Sequence, residues 1–200
     1  MAEPIEFWFD FSSPYSYLAS ERIDELAAKY GRKVKWRPVM LGAAFKVSGL
    51  PLLLTVPLKG EYSKRDIERS ARFMDLPFAF PSRFPAATLA AARGYYWLHG
   101  QDCGKAREFA HAVFRAYWVH DRDIGELPVV LEIVDYLGID SDAFMTAIAT
   151  PAIKDRVKQE TDAAIAQGMF GAPYFMVDGE PFWGADRLPQ IDKWLATGGF

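Results

Sequence analysis

A single cysteine, Cys103, occurs in 200 residues. That excludes an intramolecular disulfide framework and any multi-cysteine metal knuckle. With no resolving partner or base beside it in sequence, Cys103 reads as an incidental thiol. Neither sign of charge is in large excess. The 23 Lys and Arg face 26 Asp and Glu, a formal charge of −3, so no basic surplus marks nucleic acid as the partner. No stretch approaches the ~20 apolar residues of a membrane span. Met1 to Phe11 lacks the basic start and apolar run of a signal peptide, and the cytoplasm is the expected compartment. The only histidines, His99, His111 and His120, have neither metal-ligand spacing nor a triad-like context. No glycine-rich phosphate loop is present. Aromatics, by contrast, are abundant: 15 Phe, 9 Tyr and 6 Trp. They suit either a core or an aromatic ligand pocket.

The chain opens as a buried strand, with Ile5, Phe7, Phe9 and Phe11 on one face and Glu6, Trp8 and Asp10 on the other. Ser12-Ser13-Pro14 interrupts it. From Tyr15 the period turns helical through Leu18, Ile23, Leu26, Ala27 and Tyr30, with Gly31 as the stop. Val34 and Trp36 then alternate with Lys33, Lys35 and Arg37 up to Pro38. Strand, helix, strand predicts a right-handed parallel crossover. At the other end, Tyr174 to Val177 and Pro181 to Trp183 flank an Asp178-Gly179 hairpin turn, and a last helix starts near Asp186 with Pro189 in its first turn. The interval between is mostly helical: 63–73, 86–98, 104–119, 127–137, 141–149 and 151–167, punctuated by prolines. Residues 50–58 read as an irregular loop. The predicted fold is α/β, a thioredoxin-like βαβ…ββα domain (1–40 and 168–200) carrying a large all-helical insertion (41–167).

Ser13-Pro14 at the strand-to-helix junction has two readings. One is ordinary N-capping, worth about 1 kcal/mol. The other comes from position, because in a thioredoxin plan this turn holds a Cys-x-x-Cys redox pair. Here the four residues are Ser13-Pro14-Tyr15-Ser16, so the spacing survives without the sulfur. A hydroxyl cannot form a disulfide, which excludes redox chemistry by the protein itself at that turn. A helix N-terminus with free N–H groups and a donor hydroxyl suits an anion, and a thiolate brought by another molecule would fit.

The run from Phe9 to Leu18 resembles the start of the 2-hydroxychromene-2-carboxylate isomerases, which belong with the kappa-class glutathione transferases and are relatives of the DsbA oxidoreductases. Two further matches are Phe170-Gly171-Ala172-Pro173-Tyr174-Phe175 followed by Phe182 to Leu188, and Trp118 with Asp121-Arg122-Asp123-Ile124. The resemblance covers nearly the whole chain. It implies glutathione as cofactor, with Ser13 holding its sulfur as thiolate. It further implies that Ala172, ahead of a cis-Pro173, pairs with the cysteinyl backbone like an added strand. Trp183, Gly184, Ala185 and Asp186 would take the γ-glutamyl end, and Lys59 would be a glutathione-side lysine. For the substrate, it implies Lys46 as carboxylate partner and Phe84 as pocket wall. From the residues alone, Pro173 is equally a plain turn proline, Asp186 a helix cap, and either lysine a solvated side chain. Leu50 and Ala185 depart from the family, which commonly has Asn at the first position and Asn or Ser at the second.

The function expected from this resemblance is a glutathione-dependent cis–trans isomerase acting on a small aromatic carboxylate of the chromene type, in aromatic-hydrocarbon catabolism. The relatives' homodimer is expected by analogy. The alternatives are a kappa-like transferase that conjugates glutathione to electrophiles, and a non-catalytic thiol-peptide binding protein.

Overall fold

A computed structural model describes residues 3–200 of the chain. Strand β1 (Ile5–Phe9) pairs in parallel with β2 (Val34–Pro38) and antiparallel with β3 (Tyr174–Val177), which pairs antiparallel with β4 (Glu180–Trp183). The sheet order is β2-β1-β3-β4. This is the thioredoxin arrangement expected from the two ends of the sequence. Asp178 and Gly179 both take positive φ, 53° and 86°, at the hairpin turn.

The period-two pattern of β1 sorts the core. Ile5, Phe7 and Phe9 enter the larger apolar cluster with Trp36, Phe114 and Phe175, while Trp8 faces a smaller one with Val39, Ala44, Ala164, Met169 and Tyr174. The Phe7 ring stacks on Phe175 at 5.2 Å and meets Trp36 edge-on at 5.2 Å. Much of the aromatic content is therefore core. On the polar edge, Glu6 pairs with Lys35 and Arg37, and Arg37 continues to the buried Glu160.

The single helix expected after Ser13 is two: α1 (Pro14–Ser20) and α2 (Ile23–Lys29). The break falls at Glu21 and Arg22. Glu21 turns its carboxylate out to His111 and Arg115, and Arg22 donates to the Met74 carbonyl. Helix α3 (Leu41–Ser48) was not anticipated; the next segment is irregular apart from a 3-10 turn at Leu53–Thr55. The remaining helices of the middle are α4 (Lys59–Phe73), α5 (Leu89–His99), α6 (Cys103–Trp118), α7 (Leu127–Tyr136), α8 (Ser141–Ala149) and α9 (Pro151–Ala166). Helix α9 covers the second face of the sheet through Ala164. The terminal helix α10 (Leu188–Thr197) follows a 3-10 turn at Ala185–Arg187 and carries Pro189 in its first turn. Among the described residues no helix is long and apolar enough to cross a membrane.

Candidate active site

A cleft of about 1220 Å³ runs between the sheet ends and the helices of the middle segment. Ser13, Tyr15, Phe45, Lys59, Asp66, Phe84, Ala172, Pro173, Trp183, Gly184, Ala185 and Asp186 all line it.

Ser13 is buried at 5% exposure, one residue before α1. Its Oγ accepts the Ser16 N–H at 3.2 Å and donates to the Ala172 carbonyl at 3.0 Å. Capping and facing the cleft are thus one geometry. The expectation of several free N–H groups at this turn needs correction. Pro14 has none, the Ser16 N–H goes to Ser13 Oγ, and the Tyr17 N–H goes to the Ser13 carbonyl at 3.1 Å. Only the Tyr15 N–H has no acceptor among the described residues. With seven residues, α1 also offers little dipole, and the one proton of the Ser13 hydroxyl is already given to the Ala172 carbonyl. The Ser16 side chain lies outside the cleft lining, buried with no hydrogen-bond partner.

Asp10, 5% exposed, anchors the turn from below. It accepts the Ser12 and Leu41 N–H groups at 2.9 Å each, and its carbonyl accepts the Ser13 N–H at 2.9 Å. Burial pushes its carboxyl pKa up against those lowering hydrogen bonds and one from Thr88. Ser12 Oγ accepts the Ala86 N–H at 3.1 Å, tying the turn to the loop that carries Phe84. That loop is held at its other end by Tyr117 OH on the Arg83 carbonyl at 2.8 Å, by Asp121 on the Ser82 N–H at 2.6 Å and by Asp123 on Arg83 at 3.1 Å. The Phe84 ring leans on Phe80 and Trp118, and the Phe84-Pro85 peptide is cis. The third sequence match, around Trp118 and Asp121 to Ile124, is thereby explained: it shapes the cleft wall.

Opposite Ser13, the Ala172-Pro173 peptide is cis, as the resemblance implied. The Ala172 N–H has no partner among the described residues. Beside it, the half-exposed Trp183 indole packs edge-on against Phe170 at 4.8 Å. A Cβ on Gly171 would come within 2.5 Å of the Trp183 Nε1, so the ring's place depends on that glycine. Gly184 is at φ 110°, and a Cβ there would meet the Asp186 carboxylate at 2.3 Å. Asp186 does not cap α10. Its side chain is 71% exposed and pairs with Arg187 at 3.2 Å.

The two lysines part company. Lys59, at the start of α4, lines the cleft and its ammonium has no hydrogen-bond or carboxylate partner among the described residues. Lys46 is exposed on α3 and does not line the cleft, whereas its neighbour Phe45 does. Leu50 and Ala185, the departures from the family, both line it. One pair went unread in the sequence. Tyr15 OH donates to Asp66 Oδ2 at 2.7 Å across the cleft, and burial, with that bond, pushes its phenol pKa well up. Tyr15 and Asp66 lie 51 residues apart, so no local motif marks them. Among the described residues no cluster of three metal-ligating side chains occurs.

The DsbA-like thioredoxin domain family matches residues 4–196. The chain belongs to that family. It is 33% identical over 200 residues to a 2-hydroxychromene-2-carboxylate isomerase of Sphingobium xenophagum, covering 98% of this chain and 99% of the relative. A glutathione S-transferase kappa 2 of Caenorhabditis elegans is 25% identical over 96% of this chain and 91% of its own. Among solved structures, a 2-hydroxychromene-2-carboxylate isomerase superposes with a TM-score of 0.87 at 28% identity, covering 96% of this chain and 94% of that one. Within the DsbA-like family the chain therefore groups with the isomerases.

Proposed function

We propose that the chain is a glutathione-dependent cis–trans isomerase converting 2-hydroxychromene-2-carboxylate to trans-o-hydroxybenzylidenepyruvate in the cytoplasmic breakdown of naphthalene-like aromatics. One observation carries the reading. The Ser13 hydroxyl stands beside the open backbone edge of Ala172 in an aromatic-walled cleft, in a chain that groups with named isomerases.

The donor set fits glutathione along its length. Ala172 offers an N–H and a C=O for strand-like pairing with the cysteinyl backbone. The exposed Asp186 carboxylate, beside the Gly184 and Ala185 backbone and the Trp183 ring, suits the γ-glutamyl ammonium. Lys59, whose ammonium has no partner among the described residues, suits the glycyl carboxylate. Bound glutathione would supply the sulfur nucleophile whose addition makes the substrate's C=C bond rotatable and whose expulsion restores it in the trans form.

Ser13 and the Tyr15 N–H hold that sulfur as thiolate. A thiol near the cysteine reference pKa of about 8.5 is only a few per cent ionised at neutral pH. A hydrogen bond to a charged group is worth about 1.5–3 kcal/mol, which at 1.36 kcal/mol per unit lowers the pKa by about 1–2 units. That populates the thiolate near pH 7 with little help from the short helix. Phe84 and Phe45 wall the aromatic ring. Lys46 would anchor the substrate carboxylate by reaching in from the α3 rim, one residue from Phe45.

The test is turnover of the chromene with and without glutathione, followed by mass spectrometry of thiol and product. Turnover that needs no glutathione sinks the reading. A product that keeps the tripeptide attached would move the chain to the kappa-like transferases, which the kappa relative favours.

A further inference from the structure

Ser13 Oγ carries one proton, and the structure commits it to the Ala172 carbonyl at 3.0 Å. Ser13 is buried and the Ala172 N–H beside it has no partner among the described residues. The carbonyl that holds the Ser13 proton is therefore the one that strand-like pairing with a peptide thiol would use. The hydroxyl cannot serve that carbonyl and a sulfur anion at once.

Resting on the glutathione reading, we propose that Ala172 holds the Ser13 proton in reserve, and that only a thiol bringing its own backbone N–H to the Ala172 carbonyl releases it to the sulfur. The site then selects peptidyl thiols, cysteinyl groups with a free amide N–H, over simple thiols. The physical reason is satisfaction of a buried acceptor. If Ser13 turned to a thiolate with nothing in its place, the Ala172 carbonyl would be left without a donor in a cleft that the ligand dehydrates. A cysteinyl N–H fills that vacancy in the same step. Backbone pairing and sulfur ionisation thus favour each other, and the coupling is reciprocal. Ser13 touches the sulfur; Ala172 is a positioning residue that acts through it.

The experiment is spectrophotometric titration of the bound thiol in complexes of the full chain. Two ligands are compared, glutathione and its depsipeptide analogue in which oxygen replaces the cysteinyl N–H, each read as the shift from its own free thiol. Both are measured at saturation on the native protein and on Ser13→Ala. On the native protein the glutathione sulfur is expected to ionise at least one pKa unit, about tenfold, more readily than the analogue's. In Ser13→Ala that gap closes. Equal shifts for the two ligands on the native protein, or a gap that survives Ser13→Ala, overturn the coupling and leave glutathione use intact. Failure of glutathione itself to bind overturns the functional reading, and this inference with it.

Discussion

Ser13 and Ala172, 159 residues apart in sequence, are joined by one hydrogen bond from hydroxyl to carbonyl at 3.0 Å. The bond ties the turn after β1 to the segment before β3, the two stretches whose strands pair in the middle of the sheet. The rigid part of the fold thus fixes the Ala172 backbone against the Ser13 hydroxyl.

If Ser13 holds the glutathione sulfur as proposed, Ser13→Ala should lower kcat/KM about 10- to 100-fold, the equivalent of a charged hydrogen bond of about 1.5–3 kcal/mol. It should also cost about 1 kcal/mol of stability through the lost cap. Steady-state kinetics beside thermal unfolding separates the two effects. Native kinetics in a merely less stable protein would leave Ser13 a cap alone.

Lys59 and Lys46 test the two ends of the proposed complex separately. Lys59→Met should raise the KM for glutathione severalfold and leave the KM for the aromatic carboxylate near native. Lys46→Met should do the reverse, although Lys46 lies outside the cleft lining. Each KM is measured with the other reactant saturating. An unchanged substrate KM in Lys46→Met would move the carboxylate anchor elsewhere.

Gly171→Ala pushes a methyl to within 2.5 Å of Trp183 Nε1, and the half-exposed indole must move before the backbone does. The expected signs are altered tryptophan fluorescence and roughly tenfold weaker glutathione binding, of the order of one lost contact worth about 1.4 kcal/mol. Binding at native strength would show that Trp183 does not touch the ligand.

Glu21 gives a pH prediction. Burial alone would raise its carboxyl pKa, but hydrogen bonds from His111 and Arg115 overcome that and pull it down to about 2. A carboxylate whose folded pKa is depressed stabilises the protein above its unfolded value, about 4.3, and loses that contribution as pH falls toward about 2. Glu21 with its two partners is thus expected to supply about 2–3 kcal/mol at neutral pH. Glu21→Gln should lose that stability at pH 7 and show a flatter decline than native between about pH 4.3 and 2. Parallel unfolding curves for both proteins across that window would contradict it.

What the sequence showed depended on whether the signal was local. Alternation in Ile5 to Phe11, the Asp178-Gly179 turn and the Pro151 start of α9 are short-range patterns, and the elements they announce are present. Ser13 came from its place at the strand-to-helix turn as well as from the resemblance, Phe84, Ala172 and Trp183 from the resemblance, and the fold brings all four to one cleft. The break between α1 and α2 leaves no mark in the apolar period, and the contacts Glu21 makes there, to His111 and Arg115, are tertiary. The bond from the Leu41 N–H to Asp10 and the Tyr15–Asp66 bond, each joining residues far apart in sequence, were illegible because they too are tertiary. The supposed supply of free N–H groups at the α1 start failed on a local detail: Ser13 uses two of its own oxygens to take the Ser16 and Tyr17 N–H groups.

The most direct measurement is the ionisation of the glutathione thiol when bound, followed by thiolate absorbance across pH in native protein and Ser13→Ala. The account predicts a pKa about 1–2 units below that of the free thiol in the native complex, returning most of the way in Ser13→Ala. A bound thiol that titrates as it does in free solution would contradict it.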